Sequence, residues 1–413
     1  MTVEPSPGAL SGVRVLDLSR VLAGPWAGQT LADLGADVIK VERPDRGDDT
    51  RQWGPPYLRD QDGRDTTESA YYLAANRGKR SVTIDISQPQ GQTLVRQLAR
   101  SSDVLLENFK VGGLTRYGLD YPSLHEVNPR LVYCSITGFG QSGPHRTRPG
   151  YDFMIQAMGG LMSVTGEADG QPGAGPQKVG VALADVITGL YATIAVLAAL
   201  ASRESSGQGQ HIDMALLDCQ VAVLANQAMN YLTTGEAPRR LGNAHPNIVP
   251  YQVFASADGH FILAVGNDAQ FRRLCALLER LEWVDDQRYR DNASRVQNRD
   301  TLVPLLERIF ASRSSACWLK DLAAKDVPCG PINSIAQVFQ DPQTLHRQMK
   351  QELRHPAAGA VPLVGSPIKL SGTPVSVSRP PPMLGEHTDE VLSTLCGLTA
   401  TDLADYRHRG VIN

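Results

Sequence analysis

Apolar and polar positions follow two rhythms over the first 140 residues. Short apolar runs predict strands at 13–18, 36–41, 81–86, 104–107 and 131–136. Between them, apolar residues three or four apart predict helices, among them 25–34, closed by Gly35, and 89–101. Strands alternating with helices argue for a mostly parallel sheet covered by helices, an α/β fold. A nearly unbroken apolar run over 181–201 is about as long as a membrane span. It contains Asp185 and is rich in Ala, Gly and Thr, so a buried core helix from 185 to about 203 is the expectation.

Gly207-Gln208-Gly209 ends that helix, and a strand is predicted at 211–216. The rhythm then changes. Runs at 251–256 and 260–265 flank Asp258-Gly259, a hairpin signal, and helices are predicted at about 268–281, 299–312 and 316–325. This reads as a smaller α+β domain over 226–330 that follows a large first part, 1–225. The tail from Gly330 is rich in Pro and Gly and ends in two short helices, the last starting near Thr399 and Asp402.

A chain of 413 residues is long for one core, which agrees with two domains. Its formal net charge of −3 gives no basic excess for nucleic acid, and no basic amphipathic stretch suits a membrane surface. Six scattered cysteines show no CxxC spacing, so reduced thiols are expected and no metal site is. Cys329 lies in Pro328-Cys329-Gly330-Pro331, read as a turn rather than a nucleophile's setting. The N-terminal residues carry no targeting pattern. The expected location is the cytoplasm, or the mitochondrial matrix for a eukaryotic chain that has lost its transit peptide.

The opening βαβ unit ends on Glu42, where a dinucleotide-binding unit places its ribose acid. The turn after the first strand, Ser19 to Pro25, lacks the glycines that let a backbone approach a pyrophosphate. A GxGxxG match at Gly138–Gly143 runs into Pro144 and polar residues with no helix to follow directly, so it reads as a loop and not a nicotinamide or flavin site. Arg43, Arg77, Lys79, Arg80 and Arg116 are either surface charges or the cations that a phosphate-rich ligand needs. Asp185, in an apolar run, is either a simple helix cap or a partly desolvated carboxylate nucleophile.

Together these segments resemble the class III CoA-transferases, which include formyl-CoA:oxalate and carnitine CoA-transferases. The resemblance spans nearly the whole chain. It rests on Gly12 to Leu18, Ala23-Gly24-Pro25, Leu34 to Glu42, Asn76 to Ser81, Glu107-Asn108-Phe109, Ala184-Asp185, Pro328 to Pro331 and Leu384 to His387. It implies a Rossmann-like large domain built from both chain ends, with 331–413 returning to it, and an interlocked homodimer. It implies Asp185 as the nucleophile, which passes through an aspartyl anhydride and an aspartyl-CoA thioester. No cofactor is bound permanently; CoA and acyl-CoA are substrates. The implied CoA contacts are Leu22, Ala23, Arg43, Asn108, Phe109, Arg116, Tyr151 and Asp152. Leu22 stands where the formyl-CoA enzyme has a glutamine, and Asp152 where it has a glutamate.

The glycine-rich loop of the formyl-CoA enzyme has no counterpart here; the chain reads Gly242 to Tyr251 instead. That segment, with 295–301 and 380–385, looks most like succinyl-CoA-dependent transferases of dicarboxylic acids such as glutarate. Arg240 and His245 are then candidates for the second carboxylate, with Arg239 beside them. Two other readings are weighed. An α-methylacyl-CoA racemase of the same fold needs a His base where this chain has Tyr151, and an unperturbed phenol is a poor base there. A non-catalytic CoA-binding protein would take up no CoA covalently.

Overall fold

A computed structural model of the chain describes residues 8–377 and 379–413. The segment read for targeting signals begins in residues 1–7, which lie outside the described residues. By contacts the chain divides into two units. One comprises Met1–Leu161, Val179–Ala228 and Pro342–Asn413; the other comprises Met162–Lys178 and Met229–Asp341.

The first unit is built on a six-stranded sheet: β1 (Arg14–Asp17), β2 (Asp37–Glu42), β3 (Lys79–Thr83), β4 (Val104–Glu107), β5 (Val132–Thr137) and β6 (His211–Ala215). Every pairing is parallel and the spatial order is β3-β2-β1-β4-β5-β6. This is the doubly wound order, whose direction reverses between β1 and β4. Side chains alternate between two buried faces, as a strand period of two requires. Leu16, Ile39, Val82, Leu105 and Tyr133 point to one face, where α2 (Pro89–Arg100) packs Leu94, Val95, Leu98 and Ala99 on them. Val15, Val38, Val104, Leu106, Val132 and Ile136 point to the other, covered by α1 (Ala23–Asp33) and a long helix, Leu183–Ser206.

The chain's end completes the first face. Val391, Leu392, Leu403, Val411 and Ile412 are buried there, and Asp85 donates its backbone N–H to the Val411 carbonyl at 2.8 Å. Each such side chain is worth about 1.5–3 kcal/mol when fully buried, which ties the tail to the sheet.

The apolar run over 181–201 belongs to the long helix. By length and composition it would pass for a membrane span. Here Ala184, Ala192, Val196 and Ala199 pack on the sheet, while Leu190, Tyr191 and Ile194 are exposed.

The second unit has a three-stranded antiparallel sheet of β7 (Tyr251–Ala255), β8 (His260–Ala264) and β9 (Cys329–Pro331), with β8 central. The hairpin at Asp258-Gly259 is present. The turn expected at Pro328–Pro331 is instead a strand, because β8 offers its free edge and Cys329, Gly330 and Pro331 pair with it. Phe254, Phe261, Phe310 and Trp318 interlock edge to face in this unit's core. Arg295 is wholly buried against the Phe271 ring, held by the Val249 and Tyr289 carbonyls and by Asp268.

The expected limits of the small domain were 226 and 330. The contact limits are 229 and 341, and Met162–Lys178 joins this unit. That segment carries no strong period of its own; it is held by Gly242, whose N–H donates to the Gly166 carbonyl at 3.2 Å, and by Arg240, which reaches the Glu167 carbonyl.

Candidate active site

In an open doubly wound sheet the crevice lies beyond the carboxyl ends of the strands where their order reverses. Here that is between β1 and β4. The loops leaving those strands, Ser19 to Leu22 and Asn108 to Gly113, line two cavities. One, of about 710 Å³, opens over β1, β2, β3 and β4 and is lined by Arg43, Phe109, Lys110 and Arg116 among others. The other, of about 430 Å³, opens over β1, β4, β5 and β6; Leu22, Ala23, Trp53, Asn108, Tyr151 and Asp185 line it.

The β1–α1 loop is held in a costly shape. Val21 has φ +72°, which a β-branched residue rarely adopts. Asn108 clamps the loop by accepting the Arg20 N–H at 3.0 Å and donating to the Arg20 carbonyl at 2.6 Å. Asp48 accepts the Val21 N–H at 3.2 Å. Asp48 is itself held by Lys40 at 2.8 Å, within a buried set that also joins Lys79 to Asp17 at 2.9 Å and Arg51 to Glu42 at 2.8 Å. Leu22 precedes α1 with no side-chain cap, and Leu22 and Ala23, where the helix begins, both line the cavity. Gly189 permits the close crossing here: a Cβ on it would lie 2.6 Å from the Ala23 carbonyl oxygen.

Asp185 stands third in the long helix rather than at its cap, with α3 (Asp152–Met158) before it and the helix itself as α4. α4 has no cap of its own. Asp152 supplies one: its Oδ1 accepts the Ala184 N–H at 2.8 Å and the Asp185 N–H at 3.3 Å. Burial first, and then the Asp152 charge, push the Asp185 carboxyl up to about 7. A desolvated carboxylate facing a cavity is poised to attack an electrophilic carbonyl.

Residues 10–388 match the family model for CoA-transferase family III. The chain belongs to CoA-transferase family III. It is 54% identical over 386 residues to a succinate–glutarate CoA-transferase of Agrobacterium fabrum, covering 94% of this chain and 95% of that one. It is 42% identical over 404 residues to a succinyl-CoA:glutarate CoA-transferase of Homo sapiens, covering 98% and 90%. A crystal structure of a CAIB/BAIF family protein from Brucella suis superposes with a TM-score of 0.82 at 52% identity, covering 95% of this chain and 100% of that one.

Within this family-III chain, the residues picked from sequence fall into three places. Leu22, Ala23, Asn108, Phe109, Tyr151 and Asp185 line the smaller cavity, with Asp152 behind Asp185. Arg43 and Arg116 line the larger one. Arg240 and His245 lie in the second unit. Arg240 is ion-paired with Asp169, and His245 accepts the Asn247 N–H at 3.0 Å on Nδ1. Arg43 has one long contact, 3.5 Å, with the exposed Asp45, whereas the early cations other than Arg43 and Arg116 are spent on buried or part-buried carboxylates. Arg77 pairs with Asp33, Lys79 with Asp17, and Arg80 with Asp37 and Glu390. Sequence reading passed over Arg20, Asp48, Trp53 and Gln156. Only Gln156 left a signal there, four residues after Asp152 on a short helix.

Proposed function

We propose that this CoA-transferase moves CoA from succinyl-CoA to a dicarboxylate such as glutarate, with Asp185 as the nucleophile. The observation that carries this is a desolvated carboxylate at the head of α4, facing the cavity at the sheet's switch point. The names of the relatives from Agrobacterium fabrum and Homo sapiens supply the substrate pair.

The Asp185 carboxylate attacks the donor thioester carbonyl. The C–S bond breaks, CoA leaves as thiolate, and an aspartyl anhydride remains. The thiolate then attacks the aspartyl carbonyl, expels succinate and leaves CoA on Asp185 as a thioester. The acceptor carboxylate attacks that carbonyl and releases thiolate again. The thiolate takes the acceptor's acyl group and frees Asp185. Oxyanions formed on the way are stabilised by backbone N–H groups at the start of α1. Arg43 and Arg116 hold CoA phosphates; Leu22, Ala23, Asn108, Phe109 and Tyr151 position the thioester arm. Asp152 keeps Asp185 in place. Arg240 and His245 are the candidates for binding a carboxylate in the second unit; Arg240 is paired there with Asp169, whose own side chain is largely exposed.

The same reading gives the chain a second copy as partner, interlocked with it. Leu190, Tyr191 and Ile194 on α4, with Phe153 and Met158 on α3, are exposed large apolar residues of the kind a subunit interface covers. The protein is expected to sediment as a dimer at nanomolar concentration; a reversible monomer–dimer equilibrium contradicts interlocking.

Incubation with succinyl-CoA alone tests the chemistry. Mass analysis should find CoA on the peptide that carries Asp185, and none on Asp185→Ala. Acceptor profiling with succinyl-CoA tests the substrate. Glutarate should far exceed butyrate, because a monocarboxylate offers no second anion for a cation to bind. Equal kcat/KM for butyrate and succinate would remove the dicarboxylate assignment and leave the transferase standing.

A further inference from the structure

Gln156 is wholly buried one helical turn after Asp152, and none of the steps above uses it. Its amide nitrogen donates to Asp152 Oδ2 at 2.8 Å and to the Val181 carbonyl at 3.3 Å. Its amide oxygen accepts the Val179 N–H at 2.9 Å. Asp152 in turn turns its other oxygen to the Ala184 and Asp185 N–H groups. One buried amide therefore joins α3, the strap at 179–181 and the first turn of α4.

The chemistry of this position is narrow. It needs a donor towards a carboxylate and a carbonyl, and an acceptor towards an N–H, in one side chain. A neutral primary amide provides both. A carboxylate with an N–H on each oxygen is fixed in place and in plane, and Asp152 is the cap on which the first turn of α4 rests. Loss of the Gln156 bond frees Asp152 to rotate away from the Ala184 and Asp185 N–H groups.

We infer that Gln156 is a positioning residue for the nucleophile: through Asp152 it holds the first turn of α4, so that Asp185 meets the thioester carbonyl in an attacking geometry. The inference rests on the reading of Asp185 given above. Gln156 touches no substrate and acts on turnover, not on CoA binding.

Three variants test it. Gln156→Met keeps length and volume but removes donor and acceptor. Gln156→Leu also removes donor and acceptor, with a different shape from Met, so a shared effect of the two is not one of packing. Should Met not be tolerated in the core, Gln156→Asn keeps the amide and falls one methylene short of Asp152. Each should lower kcat by about thirtyfold or more, as misplacement of a reacting group does, with KM for succinyl-CoA within about twofold. In an Asp152→Ala background, Gln156→Met should cost less than about threefold more, because the two act as one unit.

A Gln156 that only fills the core would lower the melting temperature and leave kcat alone, and its loss would be additive with that of Asp152. Either result overturns the proposal, as does wild-type kcat in a folded Gln156→Leu. Asp185→Ala separates the two levels. If it turns over normally, the nucleophile reading fails. If it is inactive while the folded Gln156 variants are not, only the positioning role falls.

Discussion

Beneath the β1–α1 loop, Asp17, Lys79, Lys40, Asp48, Glu42 and Arg51 are all buried, and each charge faces an opposite one. At the head of α4, Asp185 and Asp152 are two like charges, and what acts on Asp185 is burial and Asp152. The proton affinities differ accordingly. Burial pushes the Asp17 carboxyl up, but Lys79, Lys40 and the Ser19 hydroxyl together more than reverse it and leave it below its ordinary range. Burial likewise pulls Lys40 down, and Asp48, Asp17 and Glu42 more than restore it. Lys79 is the exception: burial outweighs Asp17 and brings it to about 8. Among the described residues Asp185 has no such partner, and it rises to about 7. A buried charge that is answered builds the scaffold; one left unanswered beside a cavity is stored reactivity.

The most severe test of that contrast is Asp185→Ala. Transfer should fall by about four orders of magnitude or more, with circular dichroism unchanged. Its stability should move the other way. A carboxyl raised from 3.8 to about 7 on folding takes up protons in the native state first, so wild type gains stability relative to the variant as pH falls from about 7 towards 4. Denaturant melts at two pH values check the sign.

Lys79→Ala should do the opposite: it leaves Asp17 buried without its nearest cation and should cost about 3–5 kcal/mol in a urea melt. Replacing Asp17 and Lys79 together by apolar residues of similar size should recover much of that loss. If Lys79→Ala were neutral, the scaffold half of the comparison would be wrong.

Next in size are the cations at the cavity. Arg43→Ala and Arg116→Ala should each weaken the CoA ester by about 1.5–3 kcal/mol, seen as a raised KM. Arg77→Ala should lower stability with KM unmoved, since Arg77 is spent on Asp33. Identical behaviour of all three would erase the distinction between site and scaffold.

The smallest effect is a pH shift. The acid limb of kcat/KM should lie near 7, where Asp185 ionises, and Asp152→Asn should move it to lower pH by removing the like charge. Glu107 is also lifted to about 7 by burial, against hydrogen bonds from Ser135 and the Phe109 N–H. A limb that stays put in Asp152→Asn belongs to Glu107.

The parallel α/β class was legible in the sequence because its signals are local. Apolar runs such as Val15-Leu16 and Val104-Leu105-Leu106 are buried on both sides of the sheet, as continuous hydrophobicity foretells. Asp185 stood out for the same reason: a carboxylate in an apolar helix is costly, and the cost shows without coordinates. The β3 strand was placed two residues late, since Lys79 and Arg80 look like surface residues until Asp17 and Asp37 are seen beside them.

Pairings across long separations had no local trace. Nothing in Arg43, Arg77, Lys79, Arg80 and Arg116 as a string tells which are spent on carboxylates 43 to 310 positions away and which face a cavity. The strand order that puts the β1 and β4 loops at one crevice was equally out of reach, as was Asp48 under Val21. Sequence by itself determined the strands of the parallel sheet, the helices α1, α2 and α4, and which carboxylate is anomalous, because periodicity and burial cost are properties of neighbours along the chain. Only the tertiary structure decided which charges cancel and which remain, because a hydrogen bond or an ion pair is set by distance in space.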